Sequence, residues 1–359
     1  MAWPDRRILD LFGITLPIIQ APMANFSTTE MAIAAAKAGA LGSVPCASLS
    51  PEQIRAAIAD FRKAAPGPIN VNFFCHVMPP EDAGREAAWR TKLAPYYREM
   101  GLDPQATIPS VSRLPFDESA CALVEELQPD VVSFHFGLPD EKFRERVKAT
   151  GAKMIASATT VAEARWLEER GCDAVIAMGV EAGGHRGNFL SHDMARQIGT
   201  FALVPQIADA VRVPVIAAGG IADGRGIAAA LALGASAVQI GTAYLFCPEA
   251  KVSAPHARAL ASASDEDTEV TNLFTGRPAR GIVNRLMHEI GPMSADAPAF
   301  PNAGRALAPL KANAEKNGAG DFSNLWSGQA ARLAKPLPAR ELTEKLAEDA
   351  RARLALLAP

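Results

Sequence analysis

The chain has 359 residues, 49% of them apolar, which is enough for one large domain or two ordinary ones around a substantial core. A net charge of −3 gives no electrostatic basis for binding nucleic acid or an acidic membrane surface. No run of about 18 uncharged apolar residues is present to span a bilayer. The first residues, MAWPDRRILDLFG, lack the apolar core of a signal peptide. The five cysteines are scattered and odd in number, with no C-x-x-C pair; this reads as reduced thiols in a cytoplasmic protein, not a disulfide frame or a zinc site. Cys75 and His76 are neighbours in a strand and point to opposite faces, so they are not read as a nucleophile–base pair.

In chain order, short apolar runs alternate with helical ones. Pro17–Met23 is a strand closed by Pro22. Thr28–Ala38 is an alanine-rich helix with Ser27 or Thr28 as N-cap and Gly39 as its stop. Leu41–Val44 is a strand, and Ser50–Ala64 a helix opened by a serine cap and a first-turn proline. Ile69–Phe73 is a third strand. The rhythm then breaks: 77–117 is long, proline-punctuated and charged, with one helix around Trp89–Met100. A connection of this length serves as a lid or binding loop, or is a tolerated surface insertion.

The alternation resumes with helix Ser119–Leu127, strand Val131–Phe134, helix Glu141–Thr150, strand Lys153–Ala158, helix Thr160–Arg170 and strand Ala174–Ala177. After a glycine-rich loop come helix Phe201–Val211, strand Pro214–Ala217, helix Arg225–Leu233 and strand Ala237–Ile240. Eight short, unalternating apolar strands are buried on both faces, as parallel strands are. With helices between them, they predict an α/β fold, a (β/α)8 barrel. An open doubly wound sheet binding a dinucleotide would carry Gly-x-Gly-x-x-Gly after an early strand, and no such turn is present. The barrel with its insertion is assigned to residues 1–263. Residues 264–359 show no clear strand and read as a helical appendage packed on the barrel, ending in the amphipathic helix Arg340–Leu357.

Barrel active sites lie at the C-terminal ends of the strands. The richest such loop follows Ala174–Ala177 and reads MGVEAGGHRG. It holds His185, a side chain able to exchange protons near neutral pH, among glycines that allow close backbone approach. Ala218–Gly219–Gly220 after the seventh strand and Gln239, Gly241 and Thr242 around the end of the eighth form a phosphate cradle of free backbone N–H groups. A phosphorylated substrate, a nucleotide or a flavin would each supply that phosphate. His135 follows a strand between two phenylalanines and reads equally as packing or as substrate contact. His76 reads as structural. Glu181 is expected to pair with a basic residue such as Arg186, or to orient His185. Trp326 and Gln329 are candidates to cap the cavity. No His/Asp/Glu cluster has metal-ligand spacing, so no metal is expected.

These residues carry a resemblance. QAPMA (20–24), ASLS (47–50), NVNFF (70–74), SFHFGLP (133–139), GVEAGGHRG (179–187), VPQIADAV (204–211), VIAAGGIADGRG (215–226), VQIGTAYLF (238–246) and LWSGQAA (325–331) resemble the class I nitronate monooxygenases, formerly called 2-nitropropane dioxygenases. The segments follow the family's order over nearly the whole chain, EAGGHRG being the most specific.

The resemblance implies non-covalently bound FMN, with Pro22, Met23 and Asn72 along the flavin ring and Ala21 also at the cofactor. Gly183, Gly184, Ala218, Gly219, Gly220, Gln239, Gly241 and Thr242 would complete the cofactor site. His185 is the implied catalytic residue and His135 a substrate contact. Met178 is a departure, since many relatives have glutamine there, and one flavin contact is changed. The implied reaction oxidises a nitronate such as propionate 3-nitronate with dioxygen, through a flavin semiquinone, to a carbonyl product and nitrite. His185 would act either as an anion stabiliser or as a base. A carboxylate-bearing substrate calls for a basic residue at the mouth, Arg186 or Arg113. Two alternatives accompany this reading: an NAD(P)H-dependent reductase of the enoyl-acyl-carrier-protein or quinone type, which shares the phosphate loops, and a flavin-binding barrel without catalysis. The oligomeric state, a homodimer included, stays open.

Overall fold

The structure, a computed structural model, describes residues 2–106 and 113–357. Eight parallel strands form the barrel: β1 (Ile18–Gln20), β2 (Gly42–Pro45), β3 (Ile69–Phe74), β4 (Val131–His135), β5 (Lys153–Ala158), β6 (Ala174–Met178) and, after the two-residue β7 (Gly184–His185), β8 (Val215–Ala218) and β9 (Ala237–Ile240). The hydrogen-bonded order is β1-β9-β8-β6-β5-β4-β3-β2, and a parallel bridge between Ile19 and Leu41 joins the two ends. The fold is the expected TIM barrel. Nearly every strand residue is buried, which explains the absence of alternation: one face packs inside the barrel and the other beneath helices.

Local chemistry sets the helix ends. Thr28 accepts from the Met31 N–H to open helix Thr29–Lys37. Ser50 and Gln53 form a reciprocal capping box ahead of Pro51–Ala64. At Gly42 a Cβ would lie 2.2 Å from the Ala32 carbonyl oxygen, so β2 and helix Thr29–Lys37 pack at backbone distance.

Two features go beyond the sequence reading, and the first corrects it. The segment after 263 does contain strands. β10 (Thr268–Thr271) and β11 (Ala279–Ile282) pair antiparallel, and β11 pairs with β7 inside the glycine-rich loop. Strands of only four residues leave little local pattern, and β11 also takes a partner distant in sequence. The second feature is the placement of the insertion. Helix Ala83–Glu99 packs on helix Ala303–Lys316; the Trp89 indole donates to the Ala303 carbonyl at 3.1 Å and the Tyr97 hydroxyl to the Ala306 carbonyl at 2.6 Å. Trp89, Leu93, Leu286, Leu307, Leu310 and Phe322 form a second core separate from that of the barrel. The helix Ala339–Leu357 instead belongs to the barrel core. It lies against helices Thr29–Lys37 and Gly224–Ala232, and a Cβ at Gly224 would meet the Ala350 nitrogen at 2.5 Å.

Trp89→Ala is therefore expected to destabilise the protein by about 3–5 kcal/mol, as large buried aromatics do. Tyr97→Phe, which removes a hydroxyl and leaves the ring, is expected to cost about 1 kcal/mol. Denaturant midpoints would measure both. A loss below 1 kcal/mol for Trp89→Ala would mean that the insertion helix is not held by this core.

Candidate active site

A cavity opens at the C-terminal ends of the barrel strands and is roofed by the tail. All the residues singled out as cofactor contacts line it: Ala21, Pro22 and Met23 after β1, Asn72 on β3, Met178 at the end of β6, Gly183 and Gly184, Ala218 to Gly220 after β8, and Gln239, Gly241 and Thr242 around the end of β9. His135 and His185 line it too, as do Phe74, Ser157 and, from the tail, Asn324, Trp326 and Gly328. Gln329 is absent from the lining; its backbone N–H holds the Glu181 carbonyl at 3.0 Å, just outside.

The cradle after β8 is built on left-handed backbone at Gly219 (φ +108°) and Gly220 (φ +70°). A Cβ at Gly219 would sit 3.0 Å from the Ala182 nitrogen, so the turn needs glycine on both counts. The tail clamps its neighbours: the Gly328 N–H donates to Thr242 Oγ1 at 2.9 Å, and a Cβ at Gly183 would lie 2.5 Å from the Gly328 nitrogen. Gly184 (φ +71°) faces open space in the cavity. Gln239 Oε1 is buried with no hydrogen-bond partner, a cost that a donor on a bound molecule would offset.

His185 is held by three parts of the chain. β7–β11 pairing sets its backbone, His135 Nε2 contacts its carbonyl at 3.1 Å, and its own Nε2 lies 2.9 Å from Thr275 Oγ1. A carbonyl only accepts, so His135 Nε2 carries a proton and its Nδ1 accepts from the Ser157 hydroxyl at 3.1 Å. With both ring nitrogens taken, His135 acts in this arrangement as the prop of His185. Phe74, Phe136 and Phe300 enclose the imidazoles of His76, His135 and His185. Phe136 is left-handed (φ +72°), and the Arg277 guanidinium lies 4.0 Å above its ring centre.

The electrostatics follow. Burial, then the charges of Arg113 and Arg277 with the other imidazoles, holds the His185 imidazolium well below its ordinary range. Burial likewise lowers His135 to about 3 and His76 to about 4. His185 is thus neutral at working pH. His76 is structural, with Nε2 bonded to the Arg113 carbonyl at 3.1 Å.

Two expectations are corrected. Arg186 is fully buried and gives its guanidinium to the Met178 carbonyl (3.0 Å), the Gly179 carbonyl (2.8 Å) and Gln197 Oε1 (2.8 Å). It cannot meet a substrate, because no donor face points to the cavity. Glu181 neither pairs directly with Arg186 nor touches His185; it takes the Thr200 N–H and Oγ1 at 2.9 and 2.8 Å. Thr275, Arg277 and Phe300 went unassigned in the sequence. The places of Thr275 and Arg277 depend on β7–β11 pairing, which no local pattern announces. Among the described residues no group of three or more His, Cys, Asp or Glu side chains is placed to hold a metal ion, and no helix is long and apolar enough to cross a membrane.

The family model described as nitronate monooxygenase matches residues 5–349. The chain is 42% identical over 348 residues to a nitronate monooxygenase of Pseudomonas aeruginosa, covering 96% of this chain and 99% of that one. It is 41% identical over 347 residues to a nitronate monooxygenase of Paraburkholderia phytofirmans, covering 96% of this chain and 94% of that one. Among solved structures, a nitroalkane oxidase from Streptomyces ansochromogenes superposes with a TM-score of 0.88 at 38% identity, covering 98% of this chain and 100% of that one. FabK from Thermotoga maritima superposes with a TM-score of 0.75 at 30% identity, covering 98% and 97%.

Four histidines, the buried His76 and His256 and the half-buried His135 and His185, are lowered, His256 to about 4. The unfolded chain takes up protons at these positions below pH about 6.5 while the native state does not. Stability is therefore expected to fall as pH drops from 7 to 5, by up to about 2 kcal/mol for each group at pH 5. Urea unfolding at the two pH values checks this. A flat profile would place these imidazoles in water.

Proposed function

The chain belongs to the nitronate monooxygenase family and is an oxidoreductase, and from that premise we propose that it oxidises nitronates, such as propionate 3-nitronate, with dioxygen to a carbonyl product and nitrite, using bound FMN. The observation that carries this reading is the neutral, triply anchored His185 in a cavity that a glycine cradle also lines. The cavity suits a flavin on this chain's own atoms. Gln239 Oε1 lacks a donor, Gly184 leaves open space, and Gly219 and Gly220 line the cavity with left-handed backbone of the kind that forms anion-binding turns. Ala21, Pro22, Met23 and Asn72 would lie along the ring. Gly183, Ala218, Gly241 and Thr242 would complete the phosphate end. Met178 would present a thioether to the cofactor. Bound there, FMN would supply the one-electron chemistry.

The protein's own part is to bind, orient and move a proton. His185 is neutral, so it can take the α-proton of a neutral nitroalkane and so generate the nitronate in place. A nitronate delivered from outside needs no such step. His135, through its bond to the His185 carbonyl, and Thr275, through Nε2, fix the imidazole; Phe74, Phe136 and Phe300 exclude water around it.

His185→Asn is expected to lower kcat/KM for a neutral nitroalkane by about 10²–10⁴-fold, the usual worth of general-base catalysis, and for a pre-formed nitronate by a smaller factor. Equal losses would assign His185 to anion binding instead of proton removal. No loss on either substrate would remove it from the catalytic machinery. Anaerobic titration of the purified protein tests the reaction class. Nitronate alone is expected to change the flavin absorbance and NADH to leave it; the reverse would favour a nicotinamide-dependent reductase. A protein that cannot be loaded with FMN would overturn the cofactor assignment.

A further inference from the structure

The reaction cavity is not the only chamber at this end of the barrel. A second cavity of about 340 Å³ lies beside it, and Asn25, Phe26, Arg113 and Asn324 line both. The two chambers therefore share one wall, and Arg113 stands in it.

Arg113 differs from the other arginines of the site. Arg186 makes three hydrogen bonds, Arg280 holds the Val180 and Thr268 carbonyls, and Arg277 holds the Asn188 carbonyl and stacks on Phe136. The Arg113 guanidinium is half-buried and has no hydrogen bond or ion pair among the described residues. Only its backbone is engaged, through the carbonyl that meets His76 Nε2. Removing a cation from water without pairing it is costly, and an anion placed against it offsets the cost.

Among the described residues lining the two chambers, no carboxylate is free to pair with it. In the second chamber Lys251 and Lys311 join Arg113, against a single carboxylate, Glu315. Glu315 already accepts from Ser323 Oγ at 2.8 Å and Ser253 Oγ at 3.3 Å, with Lys311 at 3.9 Å. Glu181, in the reaction chamber, is committed to Thr200. His256 adds no charge: burial lowers it to about 4, and its Nε2 donates to the Trp326 carbonyl. The positive excess is not directed at a cofactor phosphate either, because Gly219 and Gly220 line the reaction cavity and not this one.

We propose that Arg113 and the chamber behind it form an anion-binding annex, and that the preferred substrates are nitronates with a carboxylate on a tail long enough to pass Arg113 toward Lys251 and Lys311. The proposal rests on the nitronate reading above and adds a length and charge requirement to it. The nitronate end stays beside His185. Arg113 takes the tail at the junction, and the two lysines take a carboxylate that reaches further. A neutral tail leaves the guanidinium unpaired and gains nothing from the annex.

The test uses the FMN-loaded full-length protein and a series of ω-nitronate carboxylates, from propionate 3-nitronate to longer homologues, each beside the neutral alkyl nitronate of equal length. KM is expected to fall with chain length in the charged series and not in the neutral one. Arg113→Gln is expected to reduce the preference for charged over neutral substrate by about 10- to 100-fold, as loss of a charge-assisted contact does. Lys311→Met is expected to reduce it only for the longer members. Equal KM values for charged and neutral partners, or a preference that survives both substitutions, would overturn the annex. Binding of an unreactive dicarboxylate such as glutarate, followed by calorimetry, separates the two readings. If no nitronate is turned over yet glutarate binds and Arg113→Gln weakens it, the annex stands and the reaction assignment fails. Absence of glutarate binding in the unmodified protein would overturn the annex whatever the reaction.

Discussion

The site depends on a buried cation. Arg186 places its guanidinium across the Met178 and Gly179 carbonyls and the Gln197 amide, and so pins the start of the glycine-rich loop to its middle. A loop this rich in glycine has many conformations to lose, and a single rigid five-donor group removes most of them. Once it is fixed, Gly184 and His185 lie in register with Arg280 and Ala279, and the tail is stitched to the barrel mouth. The position of His185, the roof over the cavity and the path of Ser327–Gly328 along Gly183 all follow from that register.

Around this frame, charge is distributed asymmetrically. The imidazoles are enclosed by phenyl rings and kept neutral by burial and by neighbouring guanidinium groups. The carboxylates that line the two chambers, Glu181 and Glu315, are occupied by backbone and hydroxyl donors. The interior of the mouth is therefore short of negative charge. In a low-dielectric enclosure such a deficit acts more strongly than the same charges would on the surface.

Much of this was legible in the chain. Eight unalternating apolar runs gave the barrel because parallel strands buried on both faces have a distinct composition, and the fold places strand ends together whatever the loops contain. That argument located the glycine cradle, Asn72, Gln239 and His185 in one cavity. It could not reveal the pairing of β11 with β7, which joins residues more than ninety positions apart, so Thr275 and Arg277 had no visible role. It also misjudged Arg186 and Glu181. Adjacent to a catalytic loop, a charged side chain reads as functional, yet both point inward to satisfy backbone groups that glycine leaves bare. Their orientation is set by φ and ψ along the loop, which composition does not encode.

The closing helix Ala339–Leu357 has a consequence for the order in which the molecule can be completed. It covers helices Thr29–Lys37 and Gly224–Ala232, and at Gly224 it comes within van der Waals reach of the backbone. On the ribosome all eight barrel strands are available long before this helix emerges. Until it does, the nascent barrel carries an uncovered apolar flank, made of some of the first and some of the middle residues of the chain. The roof over the mouth, drawn from an early insertion and a late segment, is likewise unfinished at that stage. The barrel thus exists first as an open-flanked scaffold, and the docking of this helix is the event that seals its side.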